Sequence, residues 1–237
     1  MRSIKTYFSI VMLVLFALLF FQTSHAQVDG KNIKVGPQPD GSVLVPTNQL
    51  LRPAGFQVEF PGRPVDLALS RDKKLLLVKN KSSLDIIRIQ DRTILQSLEF
   101  NRVGSSFTGL ITSADGRNIF ITDAKNKIHI AARDGQSAFQ WKDDILLPRP
   151  AIGGNPAPGG LALNSNEDKI YVTLSRNNTL GIVSLSDKIV NEIPVGMAPY
   201  DVVLVSDSKA YVSNWGGRKP LDGESTYNSS GSQVLVD

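Results

Sequence analysis

One pattern occurs four times in this chain of 237 residues: a turn rich in Gly and Pro, an alternating apolar strand, a short polar turn and a second apolar strand. The copies run from Pro64 to Lys79, Phe107 to Thr122, Gly160 to Thr173 and Tyr200 to Ser213. Their equivalent positions Asp66, Gly109, Gly160 and Asp201 are 43, 51 and 41 residues apart. A strand-only unit of that period cannot bury both faces alone and must stack on copies of itself, which makes each copy a blade of a β-propeller.

Each copy extends into two further strands. Ser83 to Asp91 aligns with Thr179 to Asp187, and both continue into an apolar segment, Ile94 to Phe100 and Ile189 to Val195. In copy two, Ile128 and Ile130 mark the third strand and Ala138 to Trp141 the fourth. Gln57 to Phe60 matches the fourth strand that precedes Asp201 but has no three strands before it, so it is expected to be an orphan closing strand of a last blade that this sequence does not include. Ser232 to Val236 has the pattern of a third strand, just before the final residue Asp237. The expected fold is all-β: an incomplete β-propeller of about three and a half four-stranded blades, an open arc, because closed rings take about four to eight. The blades fall near residues 64–100, 107–141, 160–195 and 200–237 of a partial propeller spanning 57–237, and an extended segment without strand rhythm beyond Val43 to Val45 occupies 27–56.

Residues 1–26 are a different kind of sequence. Arg2 and Lys5 precede an apolar run of 14 residues from Phe8 to Phe21, and Ser24 and Ala26 place small residues at a cleavage site. A membrane span needs about 20 apolar residues, so a secretory signal is favoured over an uncleaved anchor. The mature chain is then expected outside the cell or in a bacterial periplasm, with no membrane attachment. It would carry 24 basic and 22 acidic residues without a basic run, which argues against a nucleic-acid partner. The absence of cysteine removes disulfides, thiol nucleophiles and thiolate metal sites.

Ile193 to Asn214 reads IPVGMAPYDVVLVSDSKAYVSN, and it resembles the YVTN-type β-propeller repeat, with Tyr211 to Asn214 standing where that family has Tyr-Val-Thr-Asn. Tyr171 to Leu174 and Pro61 to Ser70 match in part. A narrower resemblance rests on Val43 to Ser70 and Asn214 to Pro220, which are similar to the N-terminal YncE-like propeller of secreted bacterial proteins that carry an alkaline-phosphatase-like phosphoesterase domain. That likeness implies a covalently attached C-terminal phosphoesterase whose catalytic residue and zinc ligands all lie beyond Asp237.

The residues themselves offer little chemistry. His25 leaves with the signal, so a Ser/His/Asp triad would have to use His129, and no Gly-x-Ser-x-Gly elbow accompanies it. Zinc sites built from His and Cys are excluded. The channel-facing set Asp66, Gly109, Gly160 and Asp201 is a poor metal cage, and its two acids are expected to bond backbone amides at the blade entrances. Gly153 to Gly160 lacks the Lys and following helix of a phosphate loop. Quinone-cofactor propellers repeat a Trp/Gly docking motif in every blade, whereas this chain has only Trp141 and Trp215, so no cofactor is expected.

Loop lengths distinguish the two faces. The turns Ser70 to Lys73, Ser113 to Arg117, Gln90 to Arg92 and Ser186 to Lys188 all fall on one face and are short. The other face receives Lys142 to Pro158 and the 18 residues from Asn214 to Gly231. Long loops on a rigid scaffold concentrate binding residues. Arg63, Arg149, Arg176, Trp215 and Arg218 are therefore the candidate site for a ligand or protein partner of a module without catalytic residues of its own. Asp143, Asp144, Asp222 and Glu224 leave a solvated face of mixed charge as the competing reading. Cleavage is expected after Ala26, leaving Gln27 first; an intact mass of exported protein that still includes Met1 or Arg2 overturns this.

Overall fold

The computed structural model describes residues 34–100, 104–135 and 137–236. The signal sequence and Arg102 lie outside these. The chain divides into two units, one ending at Val58 and one beginning at Glu59. In the first, β1 (Gly36–Pro37), β2 (Val43–Leu44) and β3 (Leu50–Leu51) form a small antiparallel meander. Gly41 and Asn48 turn it with positive φ, and the Asp40 carboxylate accepts the Ser42 amide at 3.0 Å and pairs with Arg52 at 3.2 Å. Sequence rhythm marked only the middle strand, because dipeptide strands are too short to alternate.

In the second unit the first blade is β4 (Pro64–Leu69), β5 (Leu75–Asn80), β6 (Ser83–Arg88) and β7 (Thr93–Glu99), paired in that order. The second is β8 (Ser105–Thr112), β9 (Asn118–Asp123) and β10 (Lys127–Ala132), with a broken outer strand. Both β11 (Gln140–Trp141) and β12 (Ile145–Leu146) pair with β10. The third blade is β13 (Pro158–Leu163), β14 (Lys169–Leu174), β15 (Thr179–Ser184) and β16 (Val190–Pro194). Of the fourth, β17 (Pro199–Ser206) and β18 (Lys209–Asn214) form a two-stranded sheet. The alternating sequence gives each sheet two apolar faces, and in the middle of the array one packs on the blade before and the other on the blade after. Leu77, Leu84 and Ile86 of blade one thus bury against Leu110, Ile119 and Ile121 of blade two, and Phe120 and Ile128 of blade two against Leu161, Ile170 and Val172 of blade three.

A polar seam runs beside these cores. Every inner strand has a register shift at its start, between Pro64 and Asp66, Ser105 and Leu110, Pro158 and Leu161, and Pro199 and Asp201. Such a bulge bends the strand and re-aims its carbonyls. The carbonyls so presented accept from the second strand of the preceding blade: Lys79 Nζ donates to Thr108 O at 2.5 Å, Thr122 Oγ1 to Gly159 O at 3.1 Å and Thr173 Oγ1 to Tyr200 O at 3.0 Å. This close approach explains two glycines, since a Cβ on Gly109 would stand 2.2 Å from Gly159 O and one on Gly159 2.4 Å from Tyr200 O. On the short-turn face, Glu167 accepts the Ala114 amide at 2.6 Å and Asp207 the Ser165 amide at 2.9 Å, latching successive blades again.

The fourth blade differs from the expected arrangement. Ser232 to Leu235 is not a third strand on β18; as β20 (Ser232–Leu235) it forms a hairpin with β19 (Thr226–Ser229). The hairpin meets blade three through Arg176, whose guanidinium lies 3.4 Å from Ser230 O, and Asn178, whose side-chain amide lies 3.4 Å from Ser232 Oγ. Thr226 to Ser229 offered no apolar alternation, so the sequence carried no sign that β20 had a local partner. Residues 57–60 form no strand, and β20 pairs only with β19 among the described residues.

The array is an incomplete, open propeller, and its end faces are uncovered. Leu67 is 59% exposed, while its equivalents Leu110, Leu161 and Val202 are 5%, 6% and 6% exposed behind a preceding blade. At the opposite end Val203, Val205 and Tyr211 are exposed, although Leu77 and Phe120, the counterparts of Tyr211, are buried. Apolar sheet faces of this kind associate. The chain from Gln27 to Asp237 is expected to sediment as oligomers or aggregates, and Leu67→Glu with Tyr211→Glu to shift it toward monomer; a wild-type monomer in analytical ultracentrifugation overturns the expectation.

Candidate ligand-binding face

The inner strands of blades two, three and four begin side by side on the long-loop face, and they enclose a cavity of about 310 Å³. Its lining comprises Ser105 to Thr108, Ala124, Ala157 to Gly159, Ser175, Ala198 to Tyr200 and Trp215. Blade three contributes small residues to the middle of this slot, partly because Gly159 is required by the seam. Aromatic side chains come from the blades on either side: Phe107 from blade two, and Tyr200 with Trp215 from blade four. The Trp215 amide donates to Ala198 O at 3.0 Å, and its ring stacks on Tyr200 with centroids 4.7 Å apart and planes 13° from parallel. Even so, Trp215 remains 75% exposed and Phe107 64%. Ala157 and Ala198, at the blade entrances, have φ of 50° and 49°, which a residue with a Cβ adopts at a cost of about 1–3 kcal/mol. Strained backbone and exposed aromatic rings thus meet at one concave place.

The five residues expected on this face are dispersed. Trp215 lines the slot. Arg63 stands beside it, its guanidinium carbon 5.9 Å from the Phe107 ring centroid and over the ring. Arg176 instead sits under Gly154 and against the β19–β20 hairpin. Arg218 is held in a bidentate pair with Glu224, whose carboxyl lies well below its usual range chiefly because of that hydrogen bonding. Arg149 is exposed on the loop before blade three. Phe107, Tyr200 and the alanines were not singled out from sequence. The available signal was Phe107 itself, an aromatic at the position where the other three copies have Pro64, Pro158 and Pro199.

Other polar groups serve the scaffold. Asp66 accepts the Gly109 amide at 2.7 Å and its own neighbour Leu67 at 2.8 Å, and Asp201 accepts Val202 at 2.9 Å, the backbone role expected of both. His129 is held by Asp144 at 2.7 Å and faces Asp123 at 3.7 Å, among the rings of Phe100 and Trp141. Burial works against its charged form, but Asp123 and Asp144 outweigh that and raise its pKa. No cluster of three or more His, Cys, Asp or Glu suited to a metal occurs among the described residues. A larger cavity, about 450 Å³, lies on the short-turn side between blades one and two. Of the charged groups lining it, Lys74 pairs with Asp72, Arg88 pairs with Asp91, and Arg133 lies over Phe139. Its charges are thus committed within the protein, whereas the smaller slot is lined by aromatic side chains, of which Phe107 and Trp215 stay largely exposed.

No family model matches the chain, and no curated protein matches it. Among solved structures it is similar to the periplasmic gluconolactonase of Pseudomonas aeruginosa, at 17% identity and a TM-score of 0.55 over 85% of this chain and 61% of that one. It also resembles a virginiamycin B lyase from Staphylococcus aureus, at 22% identity and a TM-score of 0.52 over 64% of this chain and 49% of that one. A functionally unknown protein from Desulfotomaculum acetoxidans matches at 15% identity and a TM-score of 0.55, over 76% of this chain and 57% of that one. The chain thus spans about half to three-fifths of these neighbours. The likeness places it in the β-propeller fold; at these identities it extends no further.

Lys79, directly behind the slot, is fully buried, and its Nζ also donates to Ser106 Oγ at 2.8 Å and Thr122 Oγ1 at 3.0 Å. Burial lowers its pKa to about 7, against the opposing pull of Asp66 and Asp123. Because the folded chain holds this proton less tightly than the unfolded one, the penalty is fully present below about pH 7 and is relieved as pH rises toward the unfolded value. The urea midpoint of the wild type, measured relative to Lys79→Met, is expected to climb between about pH 7 and about pH 10. A pH-independent difference between the two contradicts it.

Proposed function

We propose that this chain is a secreted β-propeller binding module, without catalytic residues of its own, that takes its ligand in the slot between Phe107 and the Tyr200–Trp215 pair. The observation that carries this reading is the convergence of exposed aromatic rings in a concave site built on three consecutive blades. Such sites join apolar walls to a few polar groups, and a stacked, exposed Trp is typical of binding hot spots. The side chains lining the slot are Ser, Thr, Ala, Pro and aromatic, with Gly159 between them, and none is a carboxylate, a histidine or an amine. Enzymes occur on the same fold, as the lyase and the gluconolactonase illustrate, so the assignment rests on the site and not on the fold. Export is supported by residues 1–26.

A second reading keeps this module and attaches an enzyme to it. The segments Val43 to Ser70 and Asn214 to Pro220 support a parent protein in which a phosphoesterase domain follows the propeller. Further blades and a metal-binding phosphatase domain in the reading frame after Asp237 would establish it, and an authentic stop codon there would end it.

The binding reading is tested by ligand-observed NMR with a panel of one- and two-ring fragments. Trp215→Ala and Phe107→Ala are expected to weaken binding by about tenfold or more, as hot-spot truncations do. Lys73→Ala and Arg117→Ala, on the opposite face, should leave it unchanged; equal effects from the two pairs refute the site.

A further inference from the structure

We infer that the slot selects a flat ring bearing a carboxylate, the ring stacking on the aromatic walls and the carboxylate meeting Arg63. This rests on the slot being the binding site and concerns the chemical class of its ligand.

The ring follows from shape and surface. A cavity of about 310 Å³ is at the small end of ligand pockets, which run from about 300 Å³, and it suits one or two fused rings better than a chain or a protein loop. The small residues Ala157, Pro158 and Gly159 come from the blade between those that contribute Phe107 and Tyr200 with Trp215, leaving aromatic side chains on both flanks. Offset stacking or edge contact with those rings rewards a planar guest.

The carboxylate follows from charge. Arg63 lies over Phe107, and among the described residues no carboxylate pairs with it. Asp66 also stands close, since Thr108 Oγ1 lies 3.3 Å from its carboxylate. That acid is already engaged by the amides of Leu67 and Gly109 and lies near Lys79. Glu224, Asp143 and Asp144 do not line the slot, and Glu224 and Asp144 are tied to Arg218 and to Lys127 with His129. Among the described residues, Arg63 is the cation that stands over one of the slot's rings without a carboxylate partner, and a guanidinium matches a carboxylate with two parallel donors. Its position over a ring that the guest also touches directs the anionic group to one end of the slot.

The test uses three ligands of one shape: naphthoate, naphthalenemethanol and naphthylmethylamine, titrated into the mature chain by calorimetry or ligand-observed NMR. Naphthoate is expected to bind about tenfold more tightly than the alcohol and the amine least, and Arg63→Gln to bring acid and alcohol to equal affinity. Equal binding of acid and alcohol, or a preference that survives in Arg63→Gln, overturns the ligand class but leaves the slot as a binding site, provided Trp215→Ala still abolishes binding. Failure of all three ligands, or binding that Trp215→Ala does not alter, overturns both.

Discussion

The carbonyl presented by each bulged inner strand to the blade before it is the contact on which the rest of this array depends. Stacked sheets could slide over one another if only apolar side chains met between them, since hydrophobic contact is non-directional. The hydrogen bonds from Lys79, Thr122 and Thr173 to the next inner strand set one register for each pair of blades. They also draw the backbones so close that Gly109 and Gly159 have no room for a side chain. The small floor of the slot is thus in part a by-product of the seam, since Gly159 lines it.

Lys79 is the irregular member of the seam. Thr122 and Thr173 each reach one carbonyl of the following blade, whereas the longer side chain of Lys79 bridges Thr108 O, Gly109 O, Ser106 and Thr122 at once. A buried amine without such partners would be costly, and even with them it surrenders its proton far more readily than a surface lysine. It also links the scaffold to the site, because Ser106 and Thr108 belong to the slot's lining.

Much of the fold was legible because it repeats. The alternation in Val65 to Leu69, its recurrence at Gly109, Gly160 and Asp201, and the polar turns between strands specify four-stranded blades without reference to any distant contact. Asp66 and Asp201 could be assigned to backbone amides because Asx residues at a strand entrance have that use regardless of the fold. The binding face was legible only as a face. Loop length brought attention to Trp215, but counting arginines did not distinguish Arg63, which stands over a ring, from Arg218, which is closed on Glu224. Charge pairing within a loop depends on how the loop folds back, and nothing in the residue types specifies that.

The sequence by itself determined the blade as the unit of this protein, the alternation that gives each sheet two apolar faces, and the positions where glycine and proline turn the chain. Tertiary structure alone decided that Ser232 to Leu235 pairs with Thr226 to Ser229 and not with β18, and that Lys79 is buried. It alone decided that Phe107, Tyr200 and Trp215 meet around one slot. The physical reason is range: alternation, turns and bulges are settled by a residue and its near neighbours, whereas a slot shared by three blades exists only once residues about a hundred positions apart have been brought together by stacking.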